Sequence, residues 1–326
     1  MKKKLLVTGG AGFIGGNFIH YMMERYPEYK IFNLDALTYA GDLAKHRRLE
    51  GNPRYHFIQG DITDHSMMVS LFEKEEFDYV INFAAESHVD RSIADPGVFV
   101  RTNVLGTQVL LDAALKFGVA KFVQVSTDEV YGDLDFDPAT FFTEDSPLQP
   151  NSLYSASKAS ADLMARAYNK TYGLPVNILR CSNNYGPYQF PEKLIPLTIA
   201  KAMNGKKVPV YGDGRNVRDW LHVRDHCAAI DLVLHKGMTG EVYNVGGHNE
   251  RTNLEVVKLI IQSLDKPEDL IEFVSDRPGH DRRYGIDASK LEGLGWKPEY
   301  NFETGLKQTI QWYSANKWWW EPLVKK

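Results

Sequence analysis

Apolar positions in the first half of the chain follow two alternating rhythms. Short runs at residues 3–8, 30–34, 55–58, 79–83 and 121–125 are apolar at successive positions, as strands buried on both faces require. Between them, residues 12–25, 64–73 and 98–117 carry apolar side chains three and four apart, the spacing of one helix face. A further helix over 155–172 leads to a sixth strand at 176–180. Strands and helices in alternation predict an α/β fold, a doubly wound parallel sheet covered on both faces. After about Arg180 the rhythm breaks, with proline, glycine and asparagine clustered at 183–187 and at 211–214. Helices there are expected at 192–204, 223–235, 253–264 and 301–315. The pattern predicts a first domain over 1–180, with a return near 220–246. A smaller mixed α/β domain, mainly 181–326, closes over the carboxyl edge of the sheet. No internal repeat or low-complexity segment interrupts this plan. Trp318-Trp319-Trp320 is expected to pack onto the body or a partner.

Where the first strand meets the first helix the sequence is Gly9-Gly10-Ala11-Gly12-Phe13-Ile14-Gly15. Glycines at 9, 12 and 15 permit a tight turn, close approach of a pyrophosphate and close helix–strand packing. The unpaired N–H groups opening the helix then face the phosphates. This identifies residues 1–180 as a Rossmann-type dinucleotide-binding domain. Asp35 ends the second strand, twenty residues beyond Gly15. A carboxylate there accepts from both ribose hydroxyls and repels a 2′-phosphate, and Ala36-Leu37-Thr38 brings no arginine, so NAD is expected rather than NADP. Asp61-Ile62, past the third strand, suits the adenine edge; Asp61 equally suits a helix N-cap, and the roles are compatible.

Composition removes other classes of function. With a net charge of -4 and no long run of one sign, the chain has no basic footprint for nucleic acid. The opening Met1-Lys2-Lys3-Lys4 runs directly into the glycine turn instead of a signal-peptide core, and no apolar run reaches the ~18 residues of a membrane span. Two cysteines, Cys181 and Cys227, are too few for a disulfide framework and fit reduced thiols in the cytoplasm. No metal-ligand spacing is present.

Tyr154 and Lys158 stand at i and i+4, on one face of the 155–172 helix pattern or its first turn. An ammonium near a phenol lowers its pKa, so this tyrosine can take a proton from a sugar hydroxyl as hydride leaves the same carbon. Directly after the fifth strand comes Ser126-Thr127-Asp128-Glu129. Two adjacent carboxyl groups can serve as acid and base if their surroundings separate their pKa values. The glycine turn, Ser126-Thr127 and Tyr154-x-x-x-Lys158 resemble the extended short-chain dehydrogenase/reductase superfamily. The run Ser126–Gly132 resembles that of its dTDP-glucose 4,6-dehydratases, as do 37–41, 84–92, 180–187 and 276–284.

That resemblance implies a homodimeric cytoplasmic enzyme acting on dTDP-glucose. It assigns Asp128 as acid, Glu129 as base at C5 and Thr127 as a hydrogen bond to the C4 oxygen. It implies cofactor contacts also at Thr38, Ala84, Ala85, Thr102 and Asn184, with Ser87 and His88 beside the sugar. For the nucleotide diphosphate, Arg218 with Arg277 or Arg283 can clamp phosphates, and Arg282 is a weaker candidate. Asn183, Lys193 and Asn253 can serve phosphate or sugar hydroxyls, and Pro209 and Tyr211 can flank the base. Leu194, His280 and Tyr284 complete the implied substrate set. A 4-epimerase or decarboxylase on the same scaffold is the alternative; it would leave Asp128 and Glu129 without a task. Broad apolar faces on 98–117 and 155–172 match the helices that pair in this superfamily's dimers.

Overall fold

A computed structural model describes residues 3–324 of the chain apart from 277 and 278. Its main sheet has seven parallel strands in the order β10-β6-β5-β4-β1-β2-β3. These are β1 (Lys4–Thr8), β2 (Lys30–Asp35), β3 (Tyr55–Gln59), β4 (Tyr79–Asn82), β5 (Lys121–Thr127), β6 (Val176–Cys181) and β10 (Val242–Val245). β6 is buried at every position because helices cover both faces of the sheet. On one face α1 (Phe13–Arg25) and α8 (Val223–Lys236) bury Phe18, Ile19, Met22, Ile230 and Val233. On the other, α2 (His65–Glu75), α5 (Thr107–Lys116) and α6 (Leu153–Tyr172) bury Met68, Phe72, Leu110, Leu111 and Ala165.

The chain winds outward from β1 to β2 and β3, then crosses back to β4 and winds the other way. Loops leaving β1 and β4 therefore diverge and open a crevice at their carboxyl ends, where such sheets bind ligands. β10 joins β6 in parallel register, Val242 against Ile178 to Val245 against Cys181, so the chain returns to the main sheet after residue 241.

One predicted helix is not continuous. Residues 98–117 fall into the end of α4 (Pro96–Phe99), a π-helical stretch Val100–Gly106, and α5. The widened turn lets Asn103 reach sideways. Its Oδ1 accepts from Glu86 N at 2.8 Å, and its Nδ2 donates to Glu86 O at 3.0 Å and Ser157 Oγ at 2.8 Å. A π-bulge thus ties the loop after β4 to α6, beside the short helix α3 (Val89–Ala94). Pro96–Lys116 is long and apolar enough to cross a membrane by length and composition alone, but it holds no unbroken apolar run of that length, and half of its most apolar window is buried in the fold, where α5 packs on α2 and α6.

Past Arg180, β7 (Asn183–Tyr185), β9 (Val217–His222) and β11 (Glu250–Thr252) form one small sheet, and β8 (Val208–Tyr211) pairs with β12 (Ile271–Val274). Around them lie α7 (Leu194–Met203), α9 (Asn253–Ser263), the short α10 (Ser289–Glu292), α11 (Phe302–Ala315) and α12 (Lys317–Trp320). Their shared core holds Tyr185, Trp220, Phe302, Tyr313, Trp319 and Trp320. Two of the three terminal tryptophans are therefore packing residues, and Trp320 donates to Tyr313 O at 2.8 Å.

Candidate active site

The glycine turn is built as its composition requires. Gly9 has φ +69, and a Cβ there would stand 2.7 Å from Ala84 N in the neighbouring loop. A Cβ on Gly15 would meet Gly9 O at 2.6 Å, so α1 packs onto the turn only without a side chain. Gly12 caps α1 with no side-chain hydrogen bond, which leaves the first amides of the helix to an anion. Asp35 stands across the same opening. Its Oδ2 accepts from Ala11 N at 2.9 Å and its Oδ1 from Leu37 N at 2.8 Å. Burial nonetheless pushes its pKa up, while those two amides and Lys45 pull it down. A turn that cannot accept side chains, an uncapped helix and a strand-end carboxylate together suit a dinucleotide.

Every residue expected at the cofactor lines one cleft. Gly9, Gly12, Phe13, Ile14, Gly15, Asp35 and Thr38 form one end with Asp61 and Ile62. Ala84, Ala85, Thr102 and Asn184 border its middle, and Tyr154 and Lys158 the far end. Asp61 is not the cap of α2. Its carboxylate turns onto Thr63 N and Oγ1, both at 2.9 Å, and Asp64 caps the helix through Met67 N at 2.9 Å.

At the far end, Thr127 stops β5 and its Oγ1 accepts from Glu129 N at 3.3 Å, capping a single 3-10 turn over Asp128–Tyr131. That turn brings both carboxyl side chains to the cleft. A capping box, Ser152 N to Ser155 Oγ at 3.1 Å and Ser155 N to Ser152 Oγ at 3.0 Å, starts α6 so that Tyr154 and Lys158 face them. Asp128 is buried, and its Oδ2 has no hydrogen-bond partner. Burial first, then Glu129 and Asp219, raise its pKa well above the usual carboxylate range, against a smaller opposing pull from Arg218 and Thr127. These surroundings favour the protonated form of the Asp128 carboxyl.

Tyr154 does not carry the lowered pKa that the sequence suggests. The Lys158 Nζ donates to Val125 O at 2.6 Å. Burial, Glu129, Cys181 and Asp128 instead raise the Tyr154 pKa well above its ordinary value, opposed by a hydrogen bond with Thr127. Burial also lowers the pKa of Lys158, opposed by Asp162 and Cys181.

The substrate residues divide. Ser87, Thr127, Asn183 and Lys193 line the cleft, where Lys193 Nζ reaches Ser87 O at 2.9 Å across the mouth. His88 stands beside them, its Nε2 3.7 Å from Glu192 Oε2. Leu194 instead packs into the core of the smaller sheets. Arg218 is buried and already committed: it donates to Val217 O at 2.7 Å and Asp281 O at 2.8 Å, and stacks 4.2 Å from the centre of the Tyr284 ring. Tyr284 in turn donates to Asp281 Oδ2 at 2.5 Å. Arg283 is spent on Asp137 O, Thr140 O and Glu250 Oε1. By contrast, Arg282 and His280 line a second cavity with Arg215, Asn216 and Phe136. Pro209 and Tyr211 lie on β8 and Asn253 opens α9, outside both cavities, and Arg277 lies outside the described residues.

Sequence reasoning missed Glu86, Gln189 and Glu192, which also line the cleft. Glu192 accepts from Tyr39 OH at 2.9 Å, so the loop after β2 is tied to the segment before α7. Tyr39 lies in a segment whose likeness to the dehydratases was noted, but nothing in the sequence pairs it with Glu192. Beneath the site Asp162 accepts from Arg180 Nε at 2.9 Å, and Arg180 donates to Tyr131 OH at 3.0 Å.

Residues 6–309 match the family described as GDP-mannose 4,6 dehydratase. A dTDP-glucose 4,6-dehydratase of Xanthomonas campestris is 55% identical over 96% of this chain and 94% of its own. The crystal structure of the Bacillus anthracis dTDP-glucose 4,6-dehydratase in complex with NAD is 55% identical, with a TM-score of 0.92 over 98% of this chain and 99% of that one. The Streptomyces venezuelae dTDP-glucose 4,6-dehydratase, solved with NAD and dTDP bound, is 50% identical, with a TM-score of 0.95 over the same shares of the two chains.

Proposed function

The chain belongs to the dTDP-glucose 4,6-dehydratase family of the extended short-chain dehydrogenase/reductase superfamily, and we propose that it converts dTDP-glucose to dTDP-4-keto-6-deoxyglucose. The observation that carries this is the Asp128–Glu129 turn, set against Tyr154 in the cleft that the glycine turn begins. A 4-epimerase needs no such pair.

Tyr154 takes the proton of the C4 hydroxyl while Thr127 bonds to the C4 oxygen. NAD, when bound, accepts the C4 hydride and later returns it to C6, and its cationic ring favours the phenolate. The C4 ketone acidifies C5, and Glu129 removes the C5 proton as Asp128 protonates the departing C6 oxygen. Water leaves, C6 takes up hydride, and Glu129 returns a proton to C5. The sum is loss of one water with no net redox change. Glycines 9, 12 and 15, the opening amides of α1 and Asp35 hold the NAD pyrophosphate and ribose. Ser87, His88, Asn183 and Lys193 meet the sugar and diphosphate. Arg218, buried beside Asp128 and Tyr284, orders the floor of the nucleotide side, while Tyr211, Asn253 and His280 meet the nucleotide.

The same reading divides the chain near Arg180 into a cofactor part and a mainly nucleotide-sugar-binding part. It also makes the enzyme a cytoplasmic homodimer. Ile93, Val100, Leu105, Leu153 and Leu163 are 47–58% exposed on α3, the π stretch and α6, a patch that a second copy would cover. Both cysteines are unpaired, as in a reducing compartment.

Incubation of the purified enzyme with dTDP-glucose should yield a 4-keto-6-deoxy product by mass spectrometry, without stoichiometric NADH. Recovery of dTDP-galactose instead would sink the reading.

A further inference from the structure

Behind the glycine turn lies a cation that the reaction does not use. Lys45, on the 3-10 segment Leu43–Leu49, is 3% exposed, and among the described residues no carboxylate stands within ion-pair distance of it. Its Nζ donates to Ala11 O and Gly12 O, both at 2.7 Å. The path is prepared for it: a Cβ on Gly16 would stand 2.6 Å from Lys45 Cδ, so the glycine at 16 makes room for the lysine stem. The same segment grips the turn twice more, through His46 Nε2 to Gly10 O at 2.8 Å and Asp42 N to Ala11 O at 3.0 Å. It is fastened from the far end of the chain, where Trp319 Nε1 donates to Asp42 Oδ2 at 2.6 Å.

We propose that Lys45 is a positioning residue for NAD, a buried ammonium that holds the Ala11 carbonyl in place and draws the Gly12 carbonyl backward, and so strengthens the Phe13 amide toward the pyrophosphate. The inference rests on the NAD reading above. A charge on a peptide oxygen polarises the whole peptide unit, and the Gly12–Phe13 unit carries its oxygen at Lys45 and its N–H at the first turn of α1. An unpaired lysine is costly to bury, and a dianion bound on the opposite side of the turn offsets that cost. Because NADH must stay bound until its hydride returns to C6, firm retention of the cofactor serves the reaction directly.

The test compares the wild type with Lys45→Met for binding of NAD, of ADP-ribose, which keeps the pyrophosphate, and of adenosine, which lacks it. NAD binding by the wild type is measured first; its absence would overturn the NAD reading itself. Given that binding, Lys45→Met should weaken NAD and ADP-ribose on the order of tenfold and leave adenosine unchanged. Equal affinities for wild type and variant, or an equal loss for adenosine, would overturn the role of the charge. A pH series on the wild type needs no variant. Burial lowers the Lys45 pKa to about 8, opposed by Asp42 and Asp35. A bound pyrophosphate favours the charged form, so NAD affinity should hold below about pH 8 and fall as pH climbs toward the pKa of the complex. Of the other groups around the segment, burial pushes His20 and His46 down and Tyr55 and Tyr188 up, in each case away from that range. NAD affinity that is flat across that range, like that of adenosine, would also overturn the proposal.

Discussion

Replacing Asp128 with asparagine separates the electrostatic cost of the site from its chemistry. The wild-type carboxyl is buried, with one oxygen unpartnered and Thr127 Oγ1 3.3 Å from the other. Burial, Glu129 and Asp219 raise its folded pKa above the unfolded value. A raised carboxyl pKa means that folding takes up a proton. Its contribution is fully present below the unfolded pKa and is lost as pH rises toward the folded one. Between those two values each pH unit costs the wild type about 1.4 kcal/mol. Asparagine fills the same space, keeps an acceptor for Thr127 and does not titrate. Melting temperatures of wild type and Asp128→Asn should therefore be similar near pH 4 and diverge in favour of the variant toward neutrality, by about 2 °C per pH unit. Turnover should move the opposite way, because the acid for the C6 oxygen is gone. Dehydration should fall about 10²–10⁴-fold while oxidation at C4 continues, seen as near-ultraviolet absorbance of reduced nicotinamide. Parallel melting curves at all pH values, or undiminished dehydration, would refute the reasoning.

Three further substitutions test other parts of the account. Tyr154→Phe keeps the ring packed 6.4 Å from Phe99 but loses the proton acceptor; kcat should drop about 10²–10⁴-fold with bound NAD unchanged, and retained turnover would contradict the role. Arg180→Met strands Asp162, now 2.9 Å from the guanidinium, and should cost about 3–5 kcal/mol in chemical denaturation; a loss below 1 kcal/mol (~1, the scale of an exposed pair) would show the pair to be marginal. Leu163→Glu places a charge on the exposed face of α6 and should shift analytical ultracentrifugation from dimer to monomer, whereas an unchanged sedimentation coefficient would remove α6 from the interface.

The sheet was legible because both of its faces are covered: the predicted strands lie within two residues of those observed, since uninterrupted apolar runs bounded by polar turns leave little choice. The cofactor end was legible for a related reason. A close backbone approach admits only glycine, and the spacing of those glycines is local in sequence. What escaped depends on partners far apart. The π turn at Val100–Gly106 reads as ordinary helix until Asn103 is seen to hold Glu86. Arg218 reads as a phosphate ligand; that its guanidinium also donates to Asp281 O, sixty-three positions away, is set by the fold and not by any local pattern. The lowered pKa expected of Tyr154 is not seen because burial and the neighbouring Glu129, Cys181 and Asp128 raise it, surroundings that the i, i+4 spacing with Lys158 does not reveal. Asp42 and the tryptophan run, each without a motif, are partners of one another.

The central claim is that one hydrogen travels from C4 to C6 without leaving the site, within a cleft that Tyr154, Asp128 and Glu129 line together. dTDP-glucose carrying deuterium at C4, turned over in ordinary water and read by NMR, tests it directly. The account predicts deuterium at C6 of a 4-keto-6-deoxy product and a C5 hydrogen drawn from solvent. Deuterium retained at C4 of a dTDP-hexose, or lost to solvent with C6 still hydroxylated, would contradict it.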